Sequence, residues 1–411
     1  MARSRRRSFS PLARMVGGDV GAYRDAFVAL LVAVIASLVA GITLATTTDT
    51  LEELPGLLLL VPAALAVKGN IFGALGSRLG TSIHTGQFQL SPRLDTVVGQ
   101  NTAAALVLSL AVSVELALLA KGVATVFNVA PTMSVVDFIT VSAVGGAIAS
   151  VVVLAITLVL ANGSVRYGWD LDNVVAPLVT ATGDVITLPA LVWAAALTGI
   201  GGVTTSIAVV VSVVAVIGVG WALRTDHAVI RSVMRESLPI LTFAGIVDLI
   251  AGITIEKRLD DFVAFPVLLI LLPGFLGTAG ALGGVLSSRL GTKLHLGLIR
   301  PGALPRGRAG GDVVMMFALC LPIFAIAGVV AEVGGLITGQ ASPGLAHLVA
   351  VAVLGGLLAS MAVVVVAYYS TVLALRFGLD PDTYGIPIVT SALDFVGAFA
   401  LILALVTVGV A

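Results

Sequence analysis

The sequence predicts an all-α integral membrane protein of about eleven transmembrane helices. It predicts two parallel five-helix repeats, joined by an extra helix and related by a pseudo-twofold axis along the membrane normal. Three observations point there. Of 411 residues, 58% are hydrophobic and only 11% charged, with mean hydropathy +1.13, whereas a soluble domain carries about 25% charged residues. Eleven apolar stretches meet the roughly 18 residues a spanning helix needs. The third observation is that the second half repeats the ordered motifs of the first.

The stretches lie near 26–47, 54–80, 96–127, 134–162, 173–198, 203–223, 236–255, 262–288, 312–337, 344–375 and 385–410. Backbone groups in lipid must be satisfied internally, and these runs are too long and uniformly apolar for barrel strands, so each reads as a helix. The basic start, with Arg3, Arg5, Arg6, Arg7, Arg14 and Arg24, lacks a cleavage pattern and reads as a cytoplasmic tail of about 25 residues before a retained helix. Alternation then places Arg93, Arg166, Arg224, Arg231, Arg235, Lys293, Arg300, Arg306, Arg308 and Arg376 in inward loops. The outward side holds Lys257 and Arg258 beside acidic neighbours, with Lys121 near a helix end. Eleven spans satisfy the positive-inside rule throughout, which puts the C-terminus outside and suggests the plasma membrane.

The repeat fixes the organisation. LGSRLGTSIHTG at 75–86 returns as LSSRLGTKLHLG at 286–297, an offset of 211 that also pairs Pro62 with Pro273 and Gly69 with Gly280. Further on the offset is 210: Gly145, Gly146, Ala149 and Ser150 match Gly355, Gly356, Ala359 and Ser360. Gly168, Asp170, Asp172, Pro177, Thr180 and Asp184 match Gly378, Asp380, Asp382, Pro387, Thr390 and Asp394. Five spans per copy would invert the second copy, and the extra span at 203–223 restores its orientation. The boundaries are therefore a tail at 1–25, a first repeat at 26–200, a linking helix at 201–224 and a second repeat at 225–411.

Chemistry concentrates in P-[LI]-V-T-x-x-x-D, at Pro177 to Asp184 and Pro387 to Asp394. Spacings of three and seven put Pro, Thr and Asp on one helix face. Each Asp falls roughly 15 Å deep, near the midplane. A carboxylate there costs at least about 2.5–3.5 kcal/mol, so it needs a partner or a water-filled cavity. Two that meet between repeats repel each other unless a cation joins them. Hard divalent cations take oxygen ligands, and Mg²⁺ keeps waters while using one or two carboxylates, so Thr180 and Thr390 are placed to bond those waters. Protonated, internally hydrogen-bonded Asp is the bland alternative. Asn70, in V-K-G-N at 67–70, needs partners if buried and faces Ala281 in the other copy, so the halves are not chemically identical.

Secondary candidates follow. Arg78 and Arg289, at cytoplasmic helix ends, either snorkel or pair with Asp95 and Asp312. His84 and His295, also interfacial, have no second His nearby and read as structural. Glu115 and Glu332, toward outward ends, read as an acidic entrance or as solvated helix-end charges. Asp248 lies well inside span seven, with Leu38 at offset 210 in the first copy; it reads as a proton-handling or ion-binding acid of one half only. The single Cys320 excludes an intramolecular disulfide or a Cys-based metal cluster. Balanced charge, with 22 acidic and 22 basic residues, gives no reason for a nucleic-acid partner. Without a P-loop, G-x-S-x-G or H-E-x-x-H pattern, neither a nucleotide nor an enzymatic role is indicated, nor any cofactor beyond the transported ion.

At Gly69, Asn70, Ser77 to Thr81, Pro177 to Asp184 and their partners near 287–292 and 387–394, the sequence resembles the MgtE family of magnesium transporters and its two-copy relatives, solute carrier family 41. The resemblance covers both five-span units. It implies a monomeric pseudo-dimer in lipid, with higher oligomers left open, and one cation path between the halves. It also implies Asp184 and Asp394 as main ligands, acting largely through coordinated water. Large cytoplasmic sensing domains precede the first span in MgtE; here only the short tail does, so that gating is expected to be absent. The expected function is transport of divalent cations, foremost Mg²⁺. The competing reading is a proton- or sodium-coupled transporter of another small solute that uses the Asp pair for coupling.

Overall fold

A computed structural model describes residues 20–129, 132–167, 171–295, 298–299, 302, 304–376 and 386–410. The tail arginines up to Arg14, together with Arg300, Gly168, Asp170, Gly378, Asp380 and Asp382, lie outside the described residues, as do the side chains of His84, Asp172, Pro177, Thr292 and His295.

The fold is all-helical, and no strand forms among the described residues. The first half comprises α1 (Val20–Ala45), the short α2 (Thr48–Glu53), α3 (Leu57–His84), α4 (Val97–Val126), α5 (Val135–Tyr167) and α6 (Leu171–Ala195). Helix α7 (Gly202–Arg224) follows. The second half runs through α8 (Ala228–Glu256), the short α9 (Leu259–Ala264), α10 (Val267–His295), α11 (Arg308–Thr338), α12 (Leu345–Arg376) and α13 (Ile386–Val408). Among the described residues, eleven of these helices are long and apolar enough to cross a membrane.

Local chemistry sets the ends. Thr96 caps α4 by accepting the Gly99 N–H at 3.1 Å. Before α5, Ser134 Oγ accepts the Asp137 N–H at 3.2 Å while Asp137 Oδ2 accepts the Ser134 N–H at 3.3 Å, a reciprocal cap. Gly339 ends α11 with φ of 70°, the left-handed conformation glycine adopts without a Cβ penalty. Helix α8 starts earlier than the apolar run at 236–255, because its first two turns carry Arg231, Arg235 and Glu236 yet still form helix. The short α2 and α9 have no apolar period and were not legible in the spans.

The packing is exchanged between halves. Helix α1 lies against α10 and α11 as well as α6, while α8 lies against α3 and α4 as well as α13. In the repeat register these are equivalent sets. The crossings are close. A Cβ on Gly41 would sit 2.3 Å from the Ile270 carbonyl oxygen, and one on Gly252 would sit 2.1 Å from that of Leu59. Gly41 and Gly252 are 211 apart, as are Leu59 and Ile270. Small residues permit such approach where lipid supplies no hydrophobic drive for helix association. Helix α10 is buried along most of its length. Helix α7, resting on α4, α5 and α8, exposes Val209, Val210, Val213, Val214, Val216 and Ile217, the surface expected of a lipid-facing helix.

Candidate cation site

The exchange of α1 and α8 decides what surrounds the carboxylates. Asp184 on α6 is 6% exposed, and Ser37 on α1 donates its hydroxyl to Asp184 Oδ2 at 3.3 Å. Gly277 on α10 stands opposite, where an added Cβ would be 3.6 Å from Asp184 Oδ2. No side chain therefore separates the backbone of α10 from this carboxylate. In the other half, Asp248 on α8 is fully buried and accepts the Ser391 hydroxyl of α13 at 3.0 Å through Oδ2. Asp394, one turn after Ser391, is only partly buried. Ser391 thus ties Asp248 of α8, an acid outside the pair of the sequence motif, to the turn of α13 that leads to Asp394.

The pairing of Asp248 with Leu38 needs correction. The crossings Gly41–Ile270 and Gly252–Leu59 set the register of α1 on α8 at 211, not 210. Asp248 therefore corresponds to Ser37, the residue that bonds Asp184. A one-residue slip is invisible in two apolar stretches of low identity, and the packing of the two glycines resolves it.

The hydroxyl and amide candidates join the same region. Thr390 donates to Asn70 Oδ1 at 3.4 Å, so the amide of α3 meets the second half directly. Asn70 Nδ2 is buried without a hydrogen-bond partner. Thr180 is exposed and faces Gly69, whose added Cβ would lie 3.6 Å from Thr180 Oγ1. Asp184, one turn deeper, is closed off. Among the described residues no three His, Cys, Asp or Glu side chains come together closely enough to hold one metal ion. The available donors are carboxylate, hydroxyl and amide oxygens, a set suited to a hard cation that retains water.

Comparison with known proteins matches the chain twice to the family model MgtE, described as divalent cation transporter, over residues 61–194 and 272–404. The chain belongs to the MgtE family. One matched segment runs from within α3 into α6 and the other from within α10 into α13, and they include Asn70, Asp184 and Asp394. Solute carrier family 41 member 2 of Xenopus laevis is 27% identical over 381 residues, covering 86% of this chain and 65% of that protein. The chain therefore spans slightly less than two thirds of that relative. Solute carrier family 41 member 3 of Mus musculus is 23% identical over 368 residues, covering 86% of this chain and 75% of that one. A crystal structure of the eukaryotic MATE transporter AtDTX14 aligns with a TM-score of 0.39 at 12% identity, over 97% of this chain and 96% of that chain.

Several other charged residues of this MgtE-family chain are held by partners. Arg289 Nε bonds Asp312 Oδ1 at 2.9 Å, and Lys293 Nζ bonds its Oδ2 at 2.6 Å, so Asp312 ties α10 to the start of α11. In the first half Arg78 borders a surface hollow with Ser232 and Glu236 of α8. Glu115 accepts the Thr242 hydroxyl at 2.7 Å across α4 and α8. Glu332 accepts that of Ser342 at 2.5 Å.

Two residues escaped the reading of the sequence. Ser37 is one. The other is Lys68, 1% exposed on α3, which donates to Ser109 Oγ of α4 at 2.5 Å and Ser150 Oγ of α5 at 2.8 Å. A lysine inside an apolar span was the visible signal. In repeat register its pocket is filled differently in the second half: Ala279 for Lys68, Cys320 for Ser109 and Phe324 for Ser113, with Phe275 and Phe324 in ring contact at 5.0 Å.

Proposed function

We propose that the chain transports divalent cations, foremost Mg²⁺, along a single path between its two halves, with Asp184 and Asp394 facing that path. The observation carrying this reading is that matched segments of α6 and α13 meet the same turn of α3, Thr180 beside Gly69 and Thr390 bonded to Asn70, with Asp184 and Asp394 one turn further along those helices. Like charges in a low-dielectric interior repel strongly, and a divalent cation between them turns that repulsion into binding. Thr180 and Thr390 lie one turn toward the cytoplasmic side in the proposed orientation, with Thr180 exposed, and supply hydroxyls along the approach. Asn70 holds Thr390 and fixes α3 against α13. Membership of a divalent cation transporter family agrees with this chemistry.

On this reading the two halves form a pseudo-dimer in lipid. Its inward loops carry the basic residues, and no second chain is needed to complete the path. The experiment is Mg²⁺ flux in proteoliposomes of wild type, Asp184→Asn and Asp394→Asn. Each substitution is expected to lower flux at least about tenfold with the fold intact. A folded wild type without divalent flux under any gradient overturns the proposal and puts proton- or sodium-coupled solute transport in its place.

A further inference from the structure

We propose that the second half carries a divalent-cation site of its own between α8 and α13, formed by Asp248 and Asp394 with Ser391, and that the first half lacks it. The inference rests on the chain's acting on divalent cations, and it adds to the Asp184–Asp394 pair a binding locus that shares Asp394 with it.

The argument starts from the repeat register. At the crossing of the first helix of each half with the last, the first half has Ser37 bonded to Asp184, and the second has Asp248, in the register position of Ser37, bonded to Ser391 one turn before Asp394. A serine hydroxyl donates a proton to the carboxylate it meets, so Ser37 satisfies one oxygen of Asp184 with no ion. An ionised aspartate donates nothing, so where the first half pairs a donor with an acceptor the second half holds two acceptors. Ser391 satisfies Asp248 Oδ2 at 3.0 Å. Asp248 Oδ1 is buried and has no hydrogen-bond partner. Buried polar atoms in folded proteins are nearly always satisfied, and one that is not calls for a ligand the protein atoms do not supply. Two neighbouring carboxylates are satisfied by a shared proton or by a cation, and the site proposed is the cation's.

The charge and donor set choose its class. Two carboxylates match one divalent ion in charge. One hydroxyl and retained waters complete the shell of an ion that, like Mg²⁺, uses few protein oxygens. Asp394 is only partly buried, which leaves an approach for the hydrated ion, while Asp248 is closed off behind it. Asn70 on α3 accepts from Thr390, the residue before Ser391, at 3.4 Å.

Mn²⁺ binding to the purified full chain in detergent, read from the paramagnetic resonance of free Mn²⁺, tests this directly. Wild type is expected to bind one Mn²⁺. Asp248→Asn, an isosteric change, should weaken binding at least about tenfold, and Asp184→Asn less than about threefold. Ser37→Asp should add a second site and raise the stoichiometry from one to two, a gain that misfolding cannot imitate. Unchanged affinity in Asp248→Asn, unchanged stoichiometry in Ser37→Asp, or displacement of Mn²⁺ by Na⁺ at equal concentration each overturns the proposal. Normal binding by Asp248→Asn together with lost Mg²⁺ flux in Asp184→Asn removes this inference and leaves the proposed function standing. Asp248-dependent Mn²⁺ binding without any Mg²⁺ flux does the reverse.

Discussion

Replacing Gly252 with alanine tests the exchanged packing on which the site depends. The new methyl would lie 2.1 Å from the Leu59 carbonyl oxygen, 2.8 Å from its carbonyl carbon and 2.9 Å from its Cα. All three are backbone atoms of α3, so no rotamer change can relieve the contact. A carbon and a carbonyl oxygen approach no closer than about 3.3 Å, so α8 and α3 must separate by about 1.2 Å locally. Overpacking of this kind costs about 1–3 kcal/mol, or roughly 1–4 °C in midpoint for a chain of this size. Gly41→Ala meets Ile270 at 2.3 Å and should behave alike. Gly73→Ala, with nothing within 4 Å of the added methyl, is the control and should be neutral or slightly stabilising. Thermal unfolding in detergent, followed by size exclusion, measures all three. Gly252 lies one turn from Asp248 on the same helix, so the displacement should also reduce Mg²⁺ flux. A Gly252→Ala protein as stable as wild type would refute the close crossing, and with it the register that pairs Asp248 with Ser37.

Two further predictions concern residues present in one half only. Lys68→Met should not destabilise the chain and should raise its stability by up to about 1–4 kcal/mol, as buried charges replaced by apolar groups often do. The hydroxyls it leaves behind remain satisfied, since Ser109 and Ser150 bond each other at 2.5 Å and Ser150 bonds the Gly146 carbonyl. A loss of stability in denaturant unfolding would show the ammonium to be structural. Glu256→Ala should cost about 1–2 kcal/mol, because Glu256 accepts the Gly56 N–H at 2.7 Å and the Leu59 N–H at 3.1 Å at the start of α3. Thermal unfolding checks it, and no change would exclude the cap.

Much of the fold was legible because lipid leaves few options. Ten of the eleven apolar runs begin within a few residues of their helices, and the exception, α8, begins with polar turns that continue as helix past the apolar run. Asp184 and Asp394 were legible because an acid deep in a span, repeated at a fixed offset, has no bland explanation as strong. The exchange of α1 and α8 was not legible. Helix α1 is apolar around most of its circumference and the membrane part of α8 is interrupted by few polar residues, so no stripe says which neighbour each one meets. Ser37 was hidden by that same ambiguity. Serines are ordinary in membrane helices, and only the packing of α1 on α10 brings this one to a carboxylate of α6. The short helices α2 and α9 were hidden because six-residue elements carry no period.

Fusing two copies in one chain lets each half hold what the other cannot. A dimer of identical first halves would bring two carboxylates together, each with a serine donor. A dimer of second halves would bring four, with no donor among them beyond two serines, and their mutual repulsion in a low-dielectric interior would oppose assembly. The single chain holds three: Asp184, Asp248 and Asp394. The polar pocket around Lys68 lies wholly in the first half, and the second half fills that volume with Phe275 and Phe324. The half with fewer acids therefore has the buried ammonium, and the half with more acids has the fully apolar core beside them. An ion passing between such halves meets unequal walls. On the proposed path, binding falls chiefly to the α8–α13 side, with Asp184 as the single charge opposite it.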